Sequence, residues 1–63
     1  MKVVELWNAF NSWTPFTNVT VFEHKTRQFH SFKYAEDALN KYASCVVDSF
    51  DYNSATDEIT IEV

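Results

Sequence analysis

The sequence predicts a small α+β domain: a two-layer αββαββ fold with a four-stranded, mainly antiparallel sheet and two helices on one face. Three observations carry that expectation. Two stretches place apolar residues at helical spacing, two others alternate apolar and polar residues around a polar turn, and six Phe, three Tyr and two Trp occur in only 63 residues. Each buried aromatic ring removes about 150–250 Å² from water, which is how a chain this short fills a core without staples.

The first helix is expected over Lys2–Ser12, where Val3, Leu6, Trp7 and Phe10 share one side and Lys2, Glu5, Asn8 and Ser12 the other. Thr14-Pro15 bounds it, because a residue before proline is driven out of the helical region. Trp13 and Phe16 are expected to plug the bottom of the core. The first hairpin then runs Val19–His24 and Phe29–Tyr34 around Lys25-Thr26-Arg27-Gln28. Setting Glu23 opposite His30 puts Val21 opposite Phe32 and Val19 opposite Tyr34 on one apolar face. Thr20, Phe22, His24, Phe29, Ser31 and Lys33 take the other.

Tyr34–Ser44 reads as the second helix, with Ala35, Ala38, Leu39 and Tyr42 as its stripe. Glu36 and Asp37 in its first turn and Lys41 near its end complement the helix dipole. Asp37 and Lys41 form an i,i+4 pair. Val46–Tyr52 and Glu58–Val63 make the second hairpin, turned by Asn53–Asp57. Phe50 opposite Ile61 and Tyr52 opposite Ile59 gather the apolar residues, leaving Ser49, Asp51, Glu58, Thr60 and Glu62 on the polar face. With no glycine in the chain, two-residue primed turns are disfavoured and longer loops built on type I turns are expected.

A single domain over residues 1–63 is all this length accommodates. The one cysteine, Cys45, has no intrachain partner for a disulfide. The opening MKVVELW meets Glu5 after two valines, short of a secretory apolar core, and no stretch approaches the ~20 apolar residues of a membrane helix. A reducing, cytoplasmic setting and no membrane partner are the expectation. Net charge is −4, unevenly spread: residues 1–33 hold four cations against two carboxylates, residues 34–63 one cation against seven carboxylates.

In this order, VVELWNAF, NVTVFE, AEDALNKYA and VDSFDYNSATDEITIEV resemble small uncharacterised proteins of phages and prophages of Gram-positive bacteria. The resemblance implies a setting in a bacterial host cell and transfers no catalytic or binding residue. Small acidic phage proteins often act by binding host proteins, anti-CRISPR proteins among them, and the resemblance implies that kind of partner, a host or phage protein.

The chemistry-bearing residues point away from catalysis. His24 and His30 fall on opposite faces, and no further ligands of the kind a zinc site needs stand nearby, so neither metal nor cofactor is expected. Two solvated histidines, one paired with Glu23, is the expectation. Cys45 precedes Val46-Val47 in the acidic half, which suits a buried structural thiol rather than a thiolate nucleophile. Paired carboxylates such as Asp48 and Asp51 are the candidates for acid/base work. Asp51 and Glu62, however, go with strands that need a wetted face, and so small a domain implies no pocket, so no enzyme is expected.

Binding is the better reading. Phe22 and Phe29 lie off the apolar face with no structural role assigned to them. Together with Asp51, Glu58 and Glu62 they are the candidate partner-binding residues of a protein-interaction module. The alternative is a nucleic-acid accessory role, in which Lys25, Arg27 and Lys33 contact phosphate while the two phenylalanines stack on bases; the net acidity weighs against it. Self-assembly, as a homodimer or a structural polymer, competes for the same phenylalanines.

Overall fold

The computed structural model describes all 63 residues. The elements follow the expected order: α1 (Val3–Ala9), β1 (Asn18–Glu23), β2 (Gln28–Phe32), α2 (Ala35–Tyr42), β3 (Ser49–Asn53) and β4 (Glu58–Glu62). The strands form one sheet in the order β2-β1-β4-β3.

That sheet is mixed: two of its three strand pairs are antiparallel, in keeping with the mainly antiparallel expectation, and one is parallel. Both hairpins are antiparallel, but the central pair, β1 with β4, is parallel. Alternation within a hairpin specifies how its two strands pair; it is silent on which strand docks against the other hairpin. Burial decides that. Ile59 and Ile61 of β4 lie beside Val19 and Val21 of β1, all four buried, whereas Phe50 of β3 stays partly exposed at the edge. The strand with the most completely apolar inner face takes the central place, where both neighbours cover it.

Residues from every region meet in one core. Val3 and Leu6 of α1, Ala35, Ala38 and Tyr42 of α2, and Val19, Val21, Ile59 and Ile61 of the sheet form a single buried cluster with Trp13. Trp7, Phe10, Phe32, Leu39, Cys45, Val47, Tyr52 and Val63 pack around it. Alternate sheet residues are therefore inward, and Thr20, Phe22, Phe29, Ser31, Asp51, Glu58, Thr60 and Glu62 belong to the opposite, open face.

Helix α1 is short because its ends do other work. The amides of Val3 and Val4 donate to the carbonyls of Cys45 and Ala43 (3.0 and 3.1 Å), so the segment after α2 satisfies two of the donors that a helix start leaves free. The backbone N–H of Lys2 donates to the Glu5 carboxylate at 2.7 Å. At its other end Phe10 is already extended, ending the helix before the expected Ser12, and its ring packs 5.4 Å from Phe50 and 5.6 Å from Tyr52. Val46 falls outside β3 and makes an isolated bridge to Lys2.

The first hairpin pairs Val19 with Phe32, Val21 with His30 and Glu23 with Gln28. This differs by two residues from the expected register, because the loop is His24–Arg27 rather than Lys25–Gln28. Moving a turn by one residue shifts the pairing by two, so the residues within β1 and β2 keep their expected faces. Tyr34, expected on the apolar face opposite Val19, instead lies beyond β2 as the N-cap of α2 and is 45% exposed. The second hairpin has the expected register throughout. In the α1–β1 connection Trp13 is buried as expected, but Phe16 is 74% exposed. A turn closed by Thr17 N–H on the Thr14 carbonyl (3.1 Å) and Thr14 N–H on the Thr17 hydroxyl (2.8 Å) reverses the chain between them, leaving Phe16 outside against Tyr34.

Candidate functional surface

The open face of the sheet can be read row by row from its registers. Phe29, Phe22, Glu62 and Ser49 lie level across β2, β1, β4 and β3; Ser31, Thr20, Thr60 and Asp51 form the next but one row; Asn18, Glu58 and Asn53 form the far row. Phe22 and Phe29 are thus direct cross-strand neighbours, their ring centroids 4.6 Å apart and tilted by 43°. Phe29 is 68% exposed while Phe22 is half-buried beneath it. His24 closes the other side of Phe22, edge-on at 4.9 Å.

His24 also connects the two hairpins. Its Nε2 lies 2.9 Å from Glu62 Oε1 and 3.9 Å from Asp48 Oδ2. The Ser49 hydroxyl donates to the other Glu62 oxygen at 2.7 Å. That hydrogen bond, then those of His24, hold the Glu62 carboxyl below its usual range despite some desolvation. Glu62 is therefore a fixed anion beside the Phe22–Phe29 pair. Asp51, by contrast, makes no side-chain hydrogen bond or ion pair and stands free at the sheet edge. Glu58 is exposed in the far row, four residues along β4 from Glu62, about 13 Å at strand spacing.

The basic candidates are not gathered in the same way. Lys25 and Arg27 sit in the loop at one end of β2, and Lys33 follows its other end, about 20 Å away at strand spacing. Lys33 instead borders an open depression with Asn18, Thr20, Ser31 and Glu58. At the loop end, Lys25 shares a second, more apolar depression with Glu23, Asp48, Cys45, Val46 and Val63, so two carboxylates line the same depression as that cation.

On the inner side, His30 Nε2 lies 2.9 Å from Glu23 Oε2, as expected, although the two residues are diagonal rather than opposite. The same oxygen accepts from the Tyr42 hydroxyl at 2.6 Å. Burial, and secondarily this bond to Glu23, push the Tyr42 phenol up to about 12. At the opposite end Asp57 Oδ1 accepts from the Thr17 hydroxyl (2.8 Å) and from Tyr52 (3.0 Å); that bond chiefly, with some desolvation, raises the Tyr52 phenol. The role of Asp57 was hidden from periodicity, since its partners lie forty and five residues away; its position before an apolar strand was the one signal. The indole N–H of buried Trp13 has no hydrogen-bond partner, and its ring meets Trp7 edge-on at 4.9 Å.

The arrangement offers contact surface, with an aromatic pair, a fixed carboxylate and two free ones on a flat face. Compared with protein-family models, with curated proteins and with solved structures, the chain matches none.

Proposed function

We propose that this protein is a small macromolecular-interaction module that binds a host or phage protein through the open face of its sheet, inside a bacterial cell. The observation that carries the reading is the Phe22–Phe29 pair, stacked at 4.6 Å on the face away from the core with Phe29 68% exposed. Aromatic residues, phenylalanine included, are enriched in protein interfaces relative to the rest of the surface. Glu62, Asp51 and Glu58 beside the pair supply negative potential, which speeds encounter with a basic partner and selects for it. In this reading both helices lie behind the sheet as a second layer, which leaves the open face free, and the protein acts by occupying a partner rather than by catalysis.

The nucleic-acid reading depends on Lys25, Arg27 and Lys33 acting together, and their separation along β2 weakens it. Two experiments decide. Tagged protein should retain one dominant cellular protein, and retention should be lost with Phe29→Ala and with Asp51→Lys plus Glu62→Lys while circular dichroism stays unchanged. Retention indifferent to all of these substitutions would remove the open face from consideration. Binding to a short oligonucleotide at low salt, abolished by Lys25→Glu plus Arg27→Glu, would favour the alternative.

A further inference from the structure

The two edges of the sheet are differently protected. Edge strands expose unpaired backbone groups, and proteins blunt them with lysine, proline, bulges or covering segments. Around β2 stand Lys25 and Arg27 at its entry and Lys33 at its exit. β3 has no lysine, arginine or proline guard, and the one charged side chain within it is the Asp51 carboxylate. Ser49–Asn53 contains neither lysine nor proline, and no Lys or Arg occurs anywhere in residues 42–63. Its one neighbour is β4, and no backbone hydrogen bond from a loop or cap reaches Phe50, Asp51 or Tyr52.

What flanks this edge differs on its two sides. On the inner side Phe10, Phe50 and Tyr52 form an aromatic shelf with centroid separations of 5.4 and 5.6 Å, and Phe50 is 41% exposed at its rim. On the open side Asp51 projects with no partner, and Asp48 precedes the strand. Backbone donors and acceptors, an apolar shelf and an unneutralised carboxylate therefore converge on one line about five residues long.

We propose that the β3 edge receives an extended segment of a partner protein as a fifth strand. Strand addition draws affinity from main-chain hydrogen bonds and specificity from alternate side chains. Here the pattern is dictated by what is already in place: lysine or arginine at the positions beside Asp51, and apolar or aromatic residues at the intervening ones, lying on the Phe10–Phe50–Tyr52 shelf. The proposal rests on the protein-interaction reading and adds to the Phe22–Phe29 surface a second contact, at the opposite edge of the sheet, with one class of ligand.

The probe is a seven-residue peptide of alternating lysine and valine, blocked at both ends, with two controls. One control replaces lysine by glutamate; the other is N-methylated at alternate residues, which keeps the charge and removes the donors along one side. In two-dimensional NMR of the intact protein, the first peptide should shift and protect the amides of Ser49–Asn53, and both controls should bind at least about tenfold more weakly. Asp51→Lys should weaken binding by a similar factor, while Glu36→Lys, an exposed carboxylate in the first turn of α2, should weaken it less than about threefold.

Equal binding of the N-methylated peptide, equal effects of the two substitutions, or no binding at all would overturn strand addition. Shifts centred on Phe22, Phe29 and Thr60 with β3 unmoved would also overturn it, yet leave the open face intact as the binding surface. Loss of cellular-partner retention with Phe29→Ala is read separately, so either idea can fail without the other. Protein mass that rises with concentration and falls back with Lys33→Glu would instead give the edge to β2 of a second copy.

Discussion

The two hairpins solve the same turn with different residues. Each loop has four residues, His24–Arg27 and Ser54–Asp57, and each ends on a residue in the left-handed region, Arg27 at φ 56° and Asp57 at φ 52°. The Cβ of any L-residue there ordinarily costs about 1–2 kcal/mol, although aspartate tolerates it better than most. Asp57 recovers that cost: its carboxylate takes hydrogen bonds from Thr17 and Tyr52, and its carbonyl takes one from the Asn18 amide. Arg27 gives its amide to the Glu23 carbonyl at 2.7 Å, and its side chain makes no ion pair. The second loop is thus tied to the start of β1 and helps bring β4 into the middle of the sheet. The first loop is tied to the end of β4 instead, by the His24 amide on the Val63 carbonyl (2.8 Å) and the His24 ring beside Glu62, while Arg27 at its close is held through its backbone. Each hairpin places one strand in the middle of the sheet and one at an edge. Each also gives two residues to the buried core, Val19 and Val21 from the first and Ile59 and Ile61 from the second; the first in addition keeps the Phe22–Phe29 pair outside it.

The largest test of that division compares one apolar residue from each hairpin. Ile61 is fully buried between β1 and β3, so Ile61→Ala should cost about 2–5 kcal/mol in transfer and cavity terms. For a domain whose whole stability is of the order of 5 kcal/mol, that leaves much of the chain unfolded. Phe29→Ala deletes a larger side chain, yet should cost about 1 kcal/mol or less, because the ring is mostly exposed and only its stacking on Phe22 is lost. Urea denaturation of both variants measures the difference. Comparable losses would mean that Phe29 belongs to the core, and would remove the main support for the open face as a binding surface.

Asp57→Ala comes next, at about 2 kcal/mol, from two lost hydrogen bonds and a less tolerant left-handed residue. It has a signature in pH that simple destabilisation lacks. In the native protein the Tyr52 phenol is raised, mainly by its bond to Asp57. A group raised on folding contributes stability that is complete below its unfolded value, 10.0 here, and is lost as pH climbs through the folded value. The variant should therefore titrate Tyr52 closer to 10.0, read from the tyrosinate absorbance, and lose the part of its alkaline sensitivity due to this residue. An unchanged Tyr52 titration would assign the shift to desolvation rather than to the turn.

Much of this was legible in the residues because it follows from local periodicity. The second hairpin's register is read correctly from Phe50, Tyr52, Ile59 and Ile61, since alternation and a polar loop leave one pairing that collects them. The first hairpin misleads by one turn residue, because His24 reads equally well as strand or loop, yet the faces survive and Phe22 and Phe29 are still found outside the core. What periodicity does not encode is contact between distant segments. The parallel β1–β4 pair, the Asp57–Thr17 bond and the capping of α1 by the chain after α2 all depend on which apolar faces fit together in space. Of the candidate surface, the aromatic pair was legible; the separation of Lys33 from Lys25 and Arg27 follows only once the strand lengths are known.

The smallest effect is the most discriminating, because the same substitution should have opposite signs in the two loops. Arg27→Gly removes a side chain that makes no ion pair and relieves the left-handed penalty of about 1–2 kcal/mol, against about 0.5–1 kcal/mol for the added freedom of glycine in the unfolded chain. The net gain should be about 0.5 kcal/mol, a rise of about 2–4 °C in thermal midpoint for a domain of this size. Asp57→Gly relieves the same backbone penalty but gives up the bonds to Thr17 and Tyr52, so its midpoint should fall. If both variants moved the same way, the two turns would be energetically alike. The second hairpin's hold on the core would then rest on its apolar residues, Ile59, Ile61 and Tyr52, with Asp57 a bystander.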